Sequence, residues 1–126
     1  MYQPTNINEA AQKFHVNLRG KMDEYVHLVY AATKSFPRDE LYGVTSQIRR
    51  SSLSVILNYI EGYARKRKLV MINFLETSYG SLQESKYLVE FSFREGLLSP
   101  EHHDKLMPLA EEIGAMLWKT LEHMGR

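Results

Sequence analysis

The 126-residue chain contains no cysteine. That absence excludes a disulfide framework, a thiolate nucleophile and any Cys-ligated zinc centre. Long uncharged apolar runs are also missing, and the opening segment MYQPTNINEAAQKF has no apolar stretch of the signal-peptide kind. Neither export nor membrane spanning is therefore indicated, and a cytoplasmic location is expected by default. There is no glycine-rich phosphate loop, nucleophile elbow, strand pattern or internal repeat. A non-enzymatic protein without cofactor or metal is the expectation that these absences leave.

What the chain does contain is helical apolar pattern. At 126 residues, with 44% hydrophobic and 25% charged residues, it has the size and composition of one globular domain. Its net charge of +1 hides a polarised distribution. Residues 37–68 hold seven Lys/Arg against three acids and carry +4, whereas residues 69–126 hold five against nine and carry −4. Such polarity bears on partners rather than on fold.

Four helices are predicted. The first runs from near Asn17 to Ser35 on Leu18, Met22, Tyr25, Val26, Val29 and Tyr30, spaced by threes and fours. Residues 1–16 are read as a tail or an extra turn, and 17–126 as the domain. Phe36-Pro37 ends the helix, because a residue before proline is pushed out of helical geometry. The second helix runs from about Val44 to Ala64 and is apolar on nearly every side, although Arg49, Arg50, Asn58 and Glu61 lie within it. One small bundle buries one stripe per helix, so a second stripe points to partner subunits. The third helix carries a heptad seam of Ile72, Leu75, Tyr79, Leu82, Lys86, Val89 and Phe93, and Gly96 stops it. Ser99-Pro100-Glu101 reads as N-cap, first-turn proline and first-turn acid of the fourth helix. That helix is striped by Leu106, Leu109, Ala110, Ile113, Leu117, Leu121 and Met124, with Pro108 expected to kink it or delay its regular part. Short connections make the fold class all-α, an up-down-up-down antiparallel four-helix bundle.

The run SFPRDELYGVTSQIRRSSLSVILNYIEGYARK resembles the bacterial four-helix-bundle proteins named for the intervening sequences of 23S ribosomal RNA genes. It carries that family's FP, acidic pair, YG-x-TSQIRR, S-x-x-x-N-x-x-EG and basic turn. Gly80-Ser81-Leu82, Glu84 and the Leu97-Leu98-Ser99 junction match later landmarks, and the likeness spans about Tyr25 to Leu121. Ile56 stands where the family usually has proline, which implies a straighter second helix. The resemblance implies a cyclic homo-oligomer, a pentamer, and brings no catalytic residue. A related branch, the accessory proteins of diversity-generating retroelements, binds nucleic acid and a reverse transcriptase, so RNA, DNA or such a protein is the partner class it implies.

Chemically suggestive motifs have stronger bland readings. Glu24-x-x-His27 is half of a di-iron bundle motif without its second copy and reads as a solvated face. His102-His103-Asp104 reads as exposed first-turn polar residues. Tyr25, Tyr30, Tyr59, Tyr63, Tyr79 and Tyr87 read as core or interface residues rather than base-stacking platforms, and Trp118 as a subunit contact. Helical register gives two sharper expectations. In an antiparallel pair joined near Arg67, residues summing to about 134 lie level, so Arg49 and Arg50 should meet Glu84. Glu112 should lie level with Glu84, which predicts a buried polar layer of Arg49, Arg50, Glu84 and Glu112 inside the bundle or at a subunit seam. The same topology gathers Arg65, Lys66, Arg67 and Lys68 with Arg19, Lys21, Lys119 and Arg126 at one end, a candidate surface for RNA or DNA. A protein-binding adaptor without nucleic acid is the rival reading.

Overall fold

The computed structural model describes residues 4–126, with side chains from Glu9 onward. It contains four long helices: α1 (Pro4–Thr33), α2 (Ser46–Tyr63), α3 (Lys68–Arg94) and α4 (Pro100–His123). No strand occurs among the described residues.

The principal departure from expectation is at the start. Helix α1 begins at Pro4, not near Asn17, so the supposed tail is helical wherever it is described, and residues 1–3 lie outside the described residues. Gly20 sits in the middle of α1, where nothing lies within 4 Å of the position its Cβ would take. It lowers propensity without ending the helix. The stripe itself continues backward through Phe14, which packs on the core.

Between α1 and α2 the chain makes a 3-10 turn (Arg38–Glu40) and a wide helical turn (Leu41–Thr45). Gly43, at φ −112° and ψ −115°, interrupts helical geometry there, so regular α2 starts at Ser46. Helix α3 ends as expected. Gly96 has φ +77°, its N–H bonds Phe93 O at 3.1 Å, and Leu97 N–H bonds Ser92 O at 2.9 Å. That is a Schellman closure, which needs a left-handed residue. Ser99 caps α4 by accepting from the His102 N–H at 3.1 Å, with Pro100 in the first turn. Helix α4 then runs unbroken through Pro108.

Side-chain contacts join each pair of neighbouring helices. His15 meets Tyr59 whereas Thr33 meets Arg49. Ser54 bonds Ser81 at 2.8 Å, Glu90 bonds His103, and Lys21 pairs with Glu112. The core comprises Leu18, Met22, Tyr25 and Val29 with Ile48, Val55, Leu75, Leu82, Leu106, Ile113, Leu117 and Leu121. The apolar seam on α3 is flanked by Ser78, Ser85 and Ser92, all fully buried. Ser78 donates to Val55 O at 2.6 Å, and the Ser85 and Tyr25 hydroxyls share a bond at 2.8 Å. Small buried residues allow α2 and α3, the most extensive pair, to approach closely. Gly62 marks the tightest point: a Cβ there would lie 3.2 Å from Leu75 Cδ2, Met71 O and Phe74 Cβ.

The second stripe is real. Leu53, Leu57 and Ile60 recur at spacings of four and three on the outer face of α2, and Leu57 is 53% exposed. Tyr87 and Phe91 form an exposed pair on α3, with ring centres 6.2 Å apart.

Candidate nucleic-acid interface

Close approach at Gly62 sets where the α2–α3 connection lies. Arg65 N–H closes on Gly62 O at 3.1 Å, and Arg67 is the extended residue before α3, at φ −82° and ψ 127°. Arg65, Lys66, Arg67 and Lys68 are all exposed. Helix α3 has no acidic residue in its first turn and no side-chain cap. The positive end of a helix dipole disfavours nearby cations. Arg67 and Lys68 thus sit where local helix stability opposes them, and where an added anion would be favoured.

The other cations divide. Arg19 lines a groove with His15, Tyr59, Ile60, Tyr63 and Ala64, beside the basic turn. Lys119 faces α1, its Nζ 6.0 Å from the Phe14 ring centre. Three cations are engaged elsewhere. Arg65 pairs with Glu61 and covers the Phe74 ring at 5.0 Å. Lys21 pairs with Glu112 at 3.1 Å, midway along α4. A helix starting near Asn17 would place Lys21 at its end, whereas α1 begins at Pro4 and carries Lys21 at mid-length. Arg126 lies 4.1 Å over Trp118 and pairs with Glu76 and Glu122 at 3.6 and 3.7 Å. Among the described residues, Arg19, Lys66, Arg67, Lys68 and Lys119 have no carboxylate within ion-pair distance.

A cluster with no motif of its own in the sequence lies beside this turn. His15 Nδ1 lies 2.8 Å from the Tyr59 hydroxyl and 3.2 Å from that of Tyr63, whose ring meets the imidazole edge-on. Burial lowers the His15 pKa, so the ring is held neutral and can accept from Tyr59. Burial, then the neighbouring Tyr63 hydroxyl, pushes the Tyr59 phenol upward, and burial raises Tyr63 as well. These phenols stay protonated at neutral pH. The only advance signal was the continuation of the α1 stripe through Phe14, which brings the adjacent His15 onto α2.

The polar layer does not form inside the chain. Arg49 Nε donates to Thr33 Oγ1 at 2.8 Å, and its guanidinium lies 4.7 Å over Tyr30. Arg50 and Glu84 are level, as register predicts, and line one groove with Gln47, Ser51, Ser54 and Ser81, but both are exposed. Glu112 belongs to Lys21. Register sets the height of a residue; rotation about the helix axis turned these side chains outward. His103 also departs from expectation. It is half-buried, stacked on Phe93 at 4.1 Å, and bonded to Glu90 Oε1 at 2.9 Å. Glu24 and His27 are exposed, and His27 faces Asp23 at 3.4 Å. Tyr25 is core, Tyr79 packs on Trp118 with ring centres 5.5 Å apart, and Tyr30, Tyr63 and Tyr87 are exposed. No group of three metal-ligating side chains occurs among the described residues, and no helix there is long and apolar enough to cross a membrane.

No curated protein matches the chain. A solved structure of a protein of unknown function from the S23 ribosomal protein family of Bacteroides thetaiotaomicron VPI-5482 shares the fold, with a TM-score of 0.79 at 19% identity. The match covers 86% of this chain and 98% of that one. Residues 15–119 match the 23S rRNA-intervening sequence protein family, a span that includes all of α2 and α3 and most of α1 and α4. The chain is a four-helix member of the 23S rRNA-intervening sequence protein family.

Proposed function

We propose that this protein is a non-enzymatic cytoplasmic scaffold that binds structured RNA or DNA through its basic end. In this reading the helices form an up-down-up-down bundle, and copies assemble into a closed ring, five by the family resemblance. The observation that carries it is the α2–α3 turn. Lys66, Arg67 and Lys68 are exposed, lack carboxylate partners among the described residues, and stand at a helix N-terminus that opposes positive charge. Phosphate neutralises all three at once, without base readout. Assembly through the outward Leu53, Leu57 and Ile60 stripe would set several such turns side by side, so weak contacts add by avidity.

The test is a gel shift at low salt with structured RNA and duplex DNA. Changing Lys66, Arg67 and Lys68 together to glutamine leaves helicity and light-scattering mass unchanged and removes the shift. Equal binding by the triple variant refutes the assignment to this turn. The same apolar stripe on α2 supports a second reading, an adaptor that docks a different protein's helix. Absence of binding by the parent protein to either nucleic acid would favour that reading.

A further inference from the structure

At the opposite end, a pocket of about 430 Å³ opens beside the turn between α1 and α2. Lys34, Arg38 and Arg49 line it together with Thr33, Leu41 and Thr45. No carboxylate is part of the wall, although Asp39 and Glu40 follow Arg38 directly in the chain. None of the three cations has an acidic partner within ion-pair distance among the described residues. Arg49 is the informative one, because it is half-buried and its orientation is fixed. Its Nε is committed to Thr33, whose own hydroxyl donates to Val29 O at 2.8 Å, and Tyr30 supports the guanidinium plane. The terminal amino groups of Arg49 have no hydrogen-bond partner among the described residues. Independently, Thr45, only 3% exposed, has a buried hydroxyl with no partner among the described residues. Buried polar groups are ordinarily satisfied, and a half-buried guanidinium is ordinarily paired.

We propose that this pocket is an oxyanion site that takes a phosphate-type dianion. A guanidinium already oriented by a hydrogen bond and a ring loses little freedom when it clasps two oxygens of one ligand. Three cations without a carboxylate favour a doubly charged anion over a single carboxylate. The pocket is larger than a bare phosphate needs and leaves room for the organic part of a phosphate monoester. The site is separate from the basic turn and does not depend on nucleic-acid binding there.

The test is thermal unfolding of the full chain in inorganic phosphate, compared with chloride at matched ionic strength. At a tenfold excess over Kd, bound phosphate raises the folding constant about elevenfold, which corresponds to a Tm rise of about 4–8 °C for a chain of this size. Arg49→Met abolishes the rise, and the exposed pair Lys34→Gln with Arg38→Gln weakens the apparent affinity at least about tenfold, the scale of one lost charge-assisted bond. The triple glutamine variant of Lys66, Arg67 and Lys68 retains it. If Arg49→Met fails to fold, the Lys34 and Arg38 double variant decides. No phosphate-specific rise overturns the proposal, and so does a rise that survives in the double variant but vanishes in the triple one. A change of light-scattering mass in Arg49→Met, with the parent indifferent to phosphate, assigns the pocket to a carboxylate of a second copy and also overturns it.

Discussion

Gly62→Ala tests whether close approach of α2 and α3 positions the basic turn. An added Cβ would meet Leu75 Cδ2, Met71 O and Phe74 Cβ, each at 3.2 Å, tighter than ordinary van der Waals contact. Leu75 Cδ2 is the end of a side chain that is itself fully buried, and Met71 O is backbone, so neither yields easily. Overpacking of this kind costs about 1–3 kcal/mol. Gly62 stands in the last turn of α2, so replacing it gains at most about 1 kcal/mol of helix propensity, which offsets part of the cost. The net expectation is a loss of about 0–3 kcal/mol. Gly20→Ala is the matched control, since nothing lies within 4 Å of its new Cβ and only the propensity gain of about 1 kcal/mol remains. The two variants should differ by about 1–4 kcal/mol in urea unfolding followed by far-UV circular dichroism at one protomer concentration. Gly62→Ala as stable as Gly20→Ala would refute the close-approach argument.

Ser85→Ala strands the Tyr25 hydroxyl in the core and should cost about 1–3 kcal/mol, read by the same unfolding assay. Glu84→Ala should change folding stability by less than about 0.5 kcal/mol, because the carboxylate is exposed and has no ion-pair partner among the described residues; a Tm drop at unchanged light-scattering mass would contradict this. His15 has a pKa lowered from 6.5 by burial, so the unfolded chain binds its proton more readily than the folded one. Its contribution to stability is therefore present above about pH 6.5 and lost as pH falls below that value. Unfolding midpoints between pH 7 and 5 should fall less steeply in His15→Gln than in the parent, and equal slopes would rule out this linkage.

Helix number, the α3 and α4 boundaries and most core positions are legible in the sequence because Gly96, Ser99 and Pro100 are local signals with local causes. Axial level is legible too: Ser54 meets Ser81, and Arg50 shares a groove with Glu84. Helix rotation is not legible, because Arg50 and Glu84 satisfy register while pointing to solvent. The early start of α1 is obscured by Gly20 and by polar neighbours such as Gln12, Lys13 and Asn17 around Phe14. That one misplacement put Lys21 at the bundle end and left His15 unnoticed. The buried serines of α3 escape an apolar count altogether, since their role is to be small. Of the candidate basic surface, composition identified the cations, but only coordinates separate Lys66, Arg67 and Lys68 from Arg65, Lys21 and Arg126, which are already paired.

The most direct test of the account is the salt dependence of binding, measured by fluorescence anisotropy of a labelled RNA hairpin and a labelled DNA duplex. Three phosphate contacts per engaged subunit predict that log K falls against log salt with a slope of about −2 to −3 per subunit, with little preference for sequence. The Lys66, Arg67 and Lys68 glutamine variant should flatten that slope towards zero. A parent slope near zero, or binding that depends on sequence and survives in the variant, would contradict the claim that the α2–α3 turn holds nucleic acid by backbone charge.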